Sequence, residues 1–242
     1  MRTRWSMLGG LLLALAASAC APLRVQGLAP QTALAPAQRG PIAERVGELG
    51  LAPGQSSFRL LRSNADALAL KLRTARLAAR SLDLQYYMWQ NDASGRLLAA
   101  ELLRAADRGA RVRVLLDDTY VRTLDAQLMA LDAHPNLELR VYNPYRTRSS
   151  RIGNVLEFVF TGFRPNHRMH NKAWIADGQV AIVGGRNIGD EYFGLHEGFN
   201  FRDLGVLMTG AVVAEAEADF DRYWNSPMVL PLAALPPRAD SP

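Results

Sequence analysis

Lysine is rare in this chain: of its 28 basic residues only Lys71 and Lys172 are lysines, and the rest are arginine. A sequence with that bias uses arginine wherever a generic positive charge suffices. A lysine therefore marks a place that needs a slim point charge on a flexible stem, where a wide planar fork would not fit. Lys172 lies in NHRMHNKAWIADGQVAIVGGRNIGD, residues 166–190, two residues after His170 and five before Asp177. Alternate side chains of a strand share a face, so His170 and Lys172 project together. Asp177-Gly178 signals a two-residue hairpin turn, which would pair 176 with 179 and, further back, His170 with Gly185, itself preceded by Gly184. Two residues without side chains leave a depression beside the imidazole where a bulky group can approach the backbone. Asn187 can donate amide hydrogen bonds into the same space. An imidazole, an ammonium, an amide donor and a glycine floor suit a tetrahedral anion. Phosphoryl chemistry asks for little more than a positioned nucleophile and donors matched to the equatorial oxygens. The expected phosphate-binding set is Lys172, Gly184, Gly185 and Asn187.

His170-x-Lys172-x4-Asp177-x6-Gly184-Gly185-x-Asn187 resembles the HKD signature of the phospholipase D superfamily at every position. The flanking GGRNIGDEYFG, with LDLQYYMWQNDASGRLL upstream, is similar to the bacterial cardiolipin synthase branch, and the resemblance spans roughly residues 58–225. It implies that His170 is the nucleophile and forms a phosphohistidine intermediate, that Lys172 and Asn187 hold the phosphate oxygens, and that no metal or other cofactor takes part. It implies phospholipid as substrate, with a phosphatidyl group passed to an alcohol or to another head group and hydrolysis as the variant with water. Asp177 completes the catalytic set, although in such a family it serves structure as much as chemistry and the hairpin puts it at the turn. The carboxylate that orients the histidine comes from a following strand, for which Asp203 in NFRDLGV is the candidate.

In-line displacement needs a nucleophile on one side and a proton donor for the leaving oxygen on the other. The resemblance supplies the second histidine from a second HKD motif, whereas this sequence has one. The expected partner is therefore a second copy in a homodimer, or a missing C-terminal HKD half. PLAALPPRADSP reads as an interdomain link and favours the latter.

The elements that must position these residues alternate. RSNADALALKLRTARLAARS carries apolar residues at helical spacing with Ser63 or Asn64 as cap, and SLDLQYYMW alternates as a strand. Ser94 opens a helix closed by Gly109, ARVRVLLDD is a short buried strand, residues 123–133 form a helix, and NLELRVYNP is a strand. The expected fold class is α/β: a layered α-β-α sandwich around a mixed, largely parallel central sheet. From about Val155 strands follow back to back, through the HNKAWIA–QVAIVGG hairpin and FRDLGVLMTG, before the amphipathic helix AVVAEAEADFDRYWNS. The domain is expected over 56–226, with a proline-rich tail or link at 227–242.

The N-terminus reads as export machinery. Residues 1–19 combine a basic start with an apolar run too short to span a bilayer and ending in small residues, which is a signal peptide pattern. AASAC resembles the bacterial lipoprotein processing site, with Ala17 where leucine is more usual, and Cys20, the only cysteine, would carry the lipid. A lone cysteine forms no internal disulfide. Residues 20–55, rich in proline and alanine, are then a tether. Ala21 in place of aspartate points to the outer membrane, facing the periplasm, rather than the inner. The formal charge is +5, two units of which belong to Arg2 and Arg4 in the segment expected to be removed. That modest surplus, without interleaved aromatic and basic residues, argues against nucleic acid as partner. A small one-motif HKD nuclease and a catalytically silent half-protein stand as alternatives.

Other reactive residues have plainer readings. His134 and His196 are loop histidines, His167 is a local hydrogen-bonding group, and Asp117-Asp118 is a turn or cap without a third ligand for a metal. Arg146, Arg148 and Arg151, followed by VLEFVF, suit either phospholipid head groups or a solvated loop.

Overall fold

The computed structural model describes residues 28–121, 124–145 and 167–235. In chain order the strands are β1 (Ser56–Leu61), β2 (Ser81–Tyr86), β3 (Arg111–Asp117), β4 (Leu137–Tyr142), β5 (Ala173–Ala176), β6 (Val180–Gly184), β7 (Gly205–Gly210) and β8 (Val229–Pro231). They form one sheet in the order β1-β7-β6-β5-β2-β3-β4-β8. The helices are α1 (Pro41–Gly47), α2 (Asn64–Leu77), α3 (Ala93–Asp107), α4 (Asp118–Val121), α5 (Asp125–Asp132), α6 (Asp190–Phe193) and α7 (Val212–Trp224). Ser63 caps α2 by accepting the Asp66 N–H at 3.2 Å. Asp92, rather than Ser94, caps α3 by accepting the Gly95 N–H at 2.8 Å, which satisfies one of the donors a helix start leaves open.

Strand alternation sorts the core into two layers. Leu82, Leu84, Val112, Val114, Leu116, Trp174 and Ile182 pack with Ala67 and Ala75 of α2 and Leu98 and Leu102 of α3. Leu115, Ile175 and Ala181 face the other way, onto Val213, Phe220 and Trp224 of α7. The layered α-β-α architecture with a mixed sheet is thus the observed fold. The proportion of parallel pairing is corrected. Two of the seven neighbouring pairs are parallel, β2–β3 and β3–β4, and five are antiparallel. The long α3 crossover permits parallel pairing, whereas the short links of the β5–β6–β7 run allow only antiparallel neighbours.

Three further expectations change. SSFRLL, not anticipated as a strand, is β1, paired along its length with β7; its outward-facing Phe58 and Leu60 hide the period-2 signal of a half-buried strand. The described part of the supposed tether is docked rather than loose. The Ala33 N–H bonds Asp221 Oδ2 at 2.7 Å and the Gln31 N–H bonds Asn225 Oδ1 at 2.9 Å. Ala37 and Ile42 are buried. The segment after Pro227 is not a tail throughout, because Val229–Pro231 pairs with β4 as the last strand. The signal peptide, Cys20, the arginines at 146, 148 and 151, and VLEFVF all lie outside the described residues.

Candidate functional site

The chain leaves β4 and returns to place β5 against β2. The β2–β5 boundary is where strand order reverses, and open α/β sheets hold ligands in the crevice at the carboxyl ends of strands beside such a reversal. His170 and Lys172 precede β5, Tyr87 and Met88 follow β2, and Asn187 follows β6, so all five meet at that crevice. The exposed His170 imidazole packs edge-on against Tyr87, centroids 4.9 Å apart. Lys172 Nζ lies 5.4 Å from the centre of the same Tyr87 ring and donates to the His170 carbonyl at 2.6 Å. Asn187 Oδ1 accepts the Met88 N–H at 3.2 Å while its Nδ2 donates to Tyr192 Oη at 2.9 Å. Burial lowers the pKa of Lys172 to about 8, with Asp203 opposing the shift, so the ammonium is charged at neutral pH but easily discharged above it.

The hairpin register departs from expectation by one residue. Ala176 pairs with Val180 and Ala173 with Val183, which leaves a three-residue connection Asp177-Gly178-Gln179. Continuing that register sets Lys172 against Gly184 and His170 against Arg186, not Gly185. Asp177 and Gly178 both have positive φ, 56° and 64°, as the expected turn requires. Gln179 is drawn out of the ladder, its Nε2 donating to the Ala37 carbonyl at 2.7 Å.

The glycine floor is also corrected. A side chain on Gly184 would come within 2.5 Å of the Leu204 carbonyl, and one on Gly185 within 2.5 Å of Asp203 Oδ2. The two glycines therefore admit the backbone of β7 and a carboxylate rather than an empty depression. Asp203 stands over Gly185, but no hydrogen bond joins it to the imidazole. Its backbone carbonyl accepts Arg186 Nη2, and its Oδ1 accepts the Leu204 N–H at 2.7 Å.

Asp177 is at the far end of β5 from His170. Its carboxylate accepts the N–H groups of Ala79 (3.0 Å), Arg80 (2.8 Å) and Ser81 (3.0 Å), which nails the hairpin turn to the start of β2. Its place in the catalytic set is withdrawn: it is a structural clamp.

Three residues escape the sequence reading, and a fourth reaches further than it foresaw. Tyr87 is the surface on which His170 and Lys172 meet, and it packs edge-on against Tyr120, centroids 5.1 Å apart. Tyr192 holds Asn187. Arg186 is buried, donating to the carbonyls of Leu61 (2.9 Å) and Arg62 (3.2 Å) and to Asn64 Oδ1 (3.2 Å). Asp117, at the end of β3, is a cap of larger reach than expected, accepting from Thr119 Oγ1 at 2.6 Å and from the Met169 N–H at 3.0 Å. It thereby fixes the segment that carries His170. Asp118 accepts the Tyr145 N–H at 2.8 Å. His134 and His196 accept N–H groups of their own loops, His134 also reaching Asp107 of α3 at 3.3 Å, and among the described residues the His167 carbonyl accepts from Asn143. An open cleft of about 370 Å³, lined by Met88, Trp89, Gln90, Asn91, Tyr120 and Leu124, continues from the Tyr87–Tyr120 side of the crevice.

An exposed imidazole and a buried ammonium thus lie at the reversal point of a mixed α/β sheet, an arrangement suited to an anionic group. The family described as "Cardiolipin synthase, PLD-like domain" matches residues 72–224. The chain is 49% identical over 181 residues to cardiolipin synthase C of Escherichia coli, a match covering 74% of this chain and 37% of that protein. Among solved structures it is similar to phosphatidylserine synthase from Haemophilus influenzae, at TM-score 0.56 and 19% identity over 82% of this chain and 44% of that one. A phospholipase D family member from Salmonella typhimurium matches at TM-score 0.51 and 16% identity, over 73% of this chain and 98% of that one. The chain belongs to the phospholipase D superfamily, in its cardiolipin synthase-like branch, and carries one PLD-like half. It spans little more than a third of the length of its cardiolipin synthase relative from E. coli.

Proposed function

We propose that this domain transfers phosphatidyl groups between phospholipids, as a cardiolipin synthase does, through a phosphohistidine at His170. The carrying observation is that His170 and Lys172 meet on Tyr87. In the first step an imidazole nitrogen bonds to phosphorus and the ester oxygen of the departing alcohol leaves. In the second an acceptor alcohol bonds to phosphorus, returning a proton to the group that protonated the leaving oxygen, and the imidazole departs, so that the first displacement exchanges a P–O bond for a P–N bond and the second reverses the exchange. Lys172 and the anchored Asn187 offset charge on the phosphoryl oxygens. Tyr120, Met88 and Trp89 offer apolar surface along the cleft for the rest of the lipid. The proton donor for the leaving oxygen comes from a second HKD half. In this reading Cys20 carries a lipid that holds the domain at the outer membrane, where its substrate lies; a soluble protein of unmodified mass in the fractionated envelope removes that part.

Incubating membranes of cells that express the full chain with phosphatidylglycerol labelled at phosphorus tests the chemistry. The expected products are a labelled protein, stable to alkali and lost in acid or on His170→Asn, and labelled cardiolipin. Cleavage of nucleic acid with no lipid product would replace lipid as the substrate. A second reading, a one-motif enzyme working as a homodimer, draws support from the Salmonella structure, whose chain is covered almost whole by a single domain.

A further inference from the structure

The chain's second lysine has no place in the chemistry above, yet the fold brings it to the first. Lys71 occupies the core face of α2 with Ala67, Thr74 and Ala75 and is 3% exposed. A helix face packed on a sheet ordinarily takes an alanine or leucine there, because an unpaired buried ammonium is expensive. Among the described residues, the Lys71 amine makes no hydrogen bond and no ion pair. It borders a cavity of about 10 Å³ that it shares with Lys172, Tyr86, Arg186 and Gly184, room for one water.

The charged and titratable groups lining this space are Lys71, Lys172, Arg186 and Tyr86, with Asp203 acting on Lys172 from beyond it. Arg186 can only donate, and its guanidinium is committed to Leu61, Arg62, Asp203 and Asn64. Lys172, as an ammonium, also only donates, and one of its protons goes to the His170 carbonyl. Among the described residues the Tyr86 hydroxyl, which can donate or accept, makes no hydrogen bond. A water that accepts from the Lys172 ammonium can in turn donate to a neutral amine. Burial, helped by the charge of Arg186, lowers Lys71 to about 7. An arginine would stay charged there. That accounts for the choice of lysine at position 71.

We propose that Lys71 is a positioning residue for Lys172: as a neutral amine it accepts a hydrogen bond from the Lys172 ammonium through the cavity's single water, and so fixes that point charge beside His170. The role in turnover rests on the proposed phosphatidyl transfer; the coupling between the two amines does not.

Having two lysines makes the test direct, since protein labelled with carbon-13 at lysine Cε gives one resonance for each. In the wild-type chain both should titrate below the ordinary lysine range, with apparent midpoints that belong to the pair. Lys71→Met removes the acceptor, so the Lys172 midpoint moves to lower pH, while Lys71→Gln, a neutral acceptor at every pH, restores it. In the lipid assay the wild-type acid limb falls where Lys71 gains its proton. Lys71→Gln should abolish that limb, and Lys71→Arg, charged at every pH, should lower kcat about tenfold with little change in KM. A Lys172 midpoint indifferent to Lys71→Met, or a Lys71 resonance titrating like an exposed lysine, overturns the proposal. Coupled titration in a chain without lipid turnover supports the pair and counts only against the proposed activity.

Discussion

Both faces of the sheet bury charge, and they handle it in opposite ways. Beneath α7, Arg113 is 1% exposed and meets Asp83 Oδ1 at 2.6 Å and Asp221 Oδ1 at 2.9 Å. Its guanidinium lies over the rings of Phe220 and Trp224, 4.8 Å and 5.4 Å from their centres. The second contact is close but poorly aligned, and neither Arg113 Nη2 nor Asp221 Oδ1 completes a hydrogen bond. On the α2 side Glu101 is paired with Arg76 and Arg104, but the two lysines are not matched in this way: Lys71 and Lys172 border one small cavity, with the Asp203 charge acting on Lys172. Charge paired within the protein holds the layers together. Charge left short of partners, next to a crevice, is available to a ligand. The two faces can therefore be told apart by substitution.

The largest effect is expected on the paired face. Arg113→Met keeps the stem and the packing on Phe220 but leaves Asp83 with only the longer Arg111 contact, at 3.9 Å, and Asp221 without a cation. Breaking a buried pair from one side costs about 3–5 kcal/mol, so the urea midpoint should fall steeply while turnover per folded molecule holds. A loss of under about 1 kcal/mol would show that the misaligned half of the cluster dominates and that this face is held by apolar packing alone.

Lys172→Arg should give the converse, an intact fold with impaired chemistry. The charge is kept, but a planar fork has to enter a space that behind Lys172 amounts to about 10 Å³, and it forfeits the bond to the His170 carbonyl. Losing a preorganised donor to a developing anion costs roughly 10²-fold in turnover. Wild-type urea stability with turnover reduced to that extent sharpens the contrast between the faces. An arginine enzyme with most of its turnover would make Lys172 a generic charge.

These contrasts also explain what was legible in the sequence. The layers followed from periodicity, because β2 alternates along its length and β3 is a short strand bounded by Gly109 and Asp118. The placement of His170, Lys172 and Asn187 at one end of the sheet followed from the strand and turn pattern around them. The register did not follow, because a turn signal fixes the positive-φ residues, Asp177 and Gly178, but not whether Gln179 joins the ladder. That was decided by Ala37, in a segment 142 residues away. The roles of Gly184 and Gly185 were misread for a similar reason. A missing side chain shows that something approaches closely, and here it is β7 and Asp203 rather than a ligand. Arg186 was invisible because its partners are backbone carbonyls, which have no signature in residue type. β1 and β8 were missed because edge strands gain their pairing from strands distant in sequence, with little pattern of their own.

The smallest expected effect belongs to a group at the margin of the paired cluster. Glu217, on α7, is buried, and its Oε1 has no hydrogen-bond partner. Desolvation, reinforced by Asp83 and Asp221 and opposed by Arg113 and Arg111, raises its carboxyl from 4.5 to about 7. A carboxyl whose folded pKa lies above its unfolded value binds its proton more tightly in the native state. Its contribution is complete below the unfolded pKa and is lost as pH rises towards and through the folded one. Glutamine is uncharged throughout, so Glu217→Gln should match the wild type in mildly acidic solution and exceed it increasingly as pH rises to neutrality, levelling off above. The gain should be on the order of 1–2 kcal/mol, less than the full shift implies at about 1.4 kcal/mol per pKa unit, because solvent screening discounts a carboxyl at the margin of the cluster. Urea midpoints measured across that range decide it. A difference between the two proteins that does not change with pH would mean that Glu217 is ionised in the native state at a pKa near its ordinary one. The α7 face would then be fully compensated, and incomplete pairing would belong to the lysine face alone.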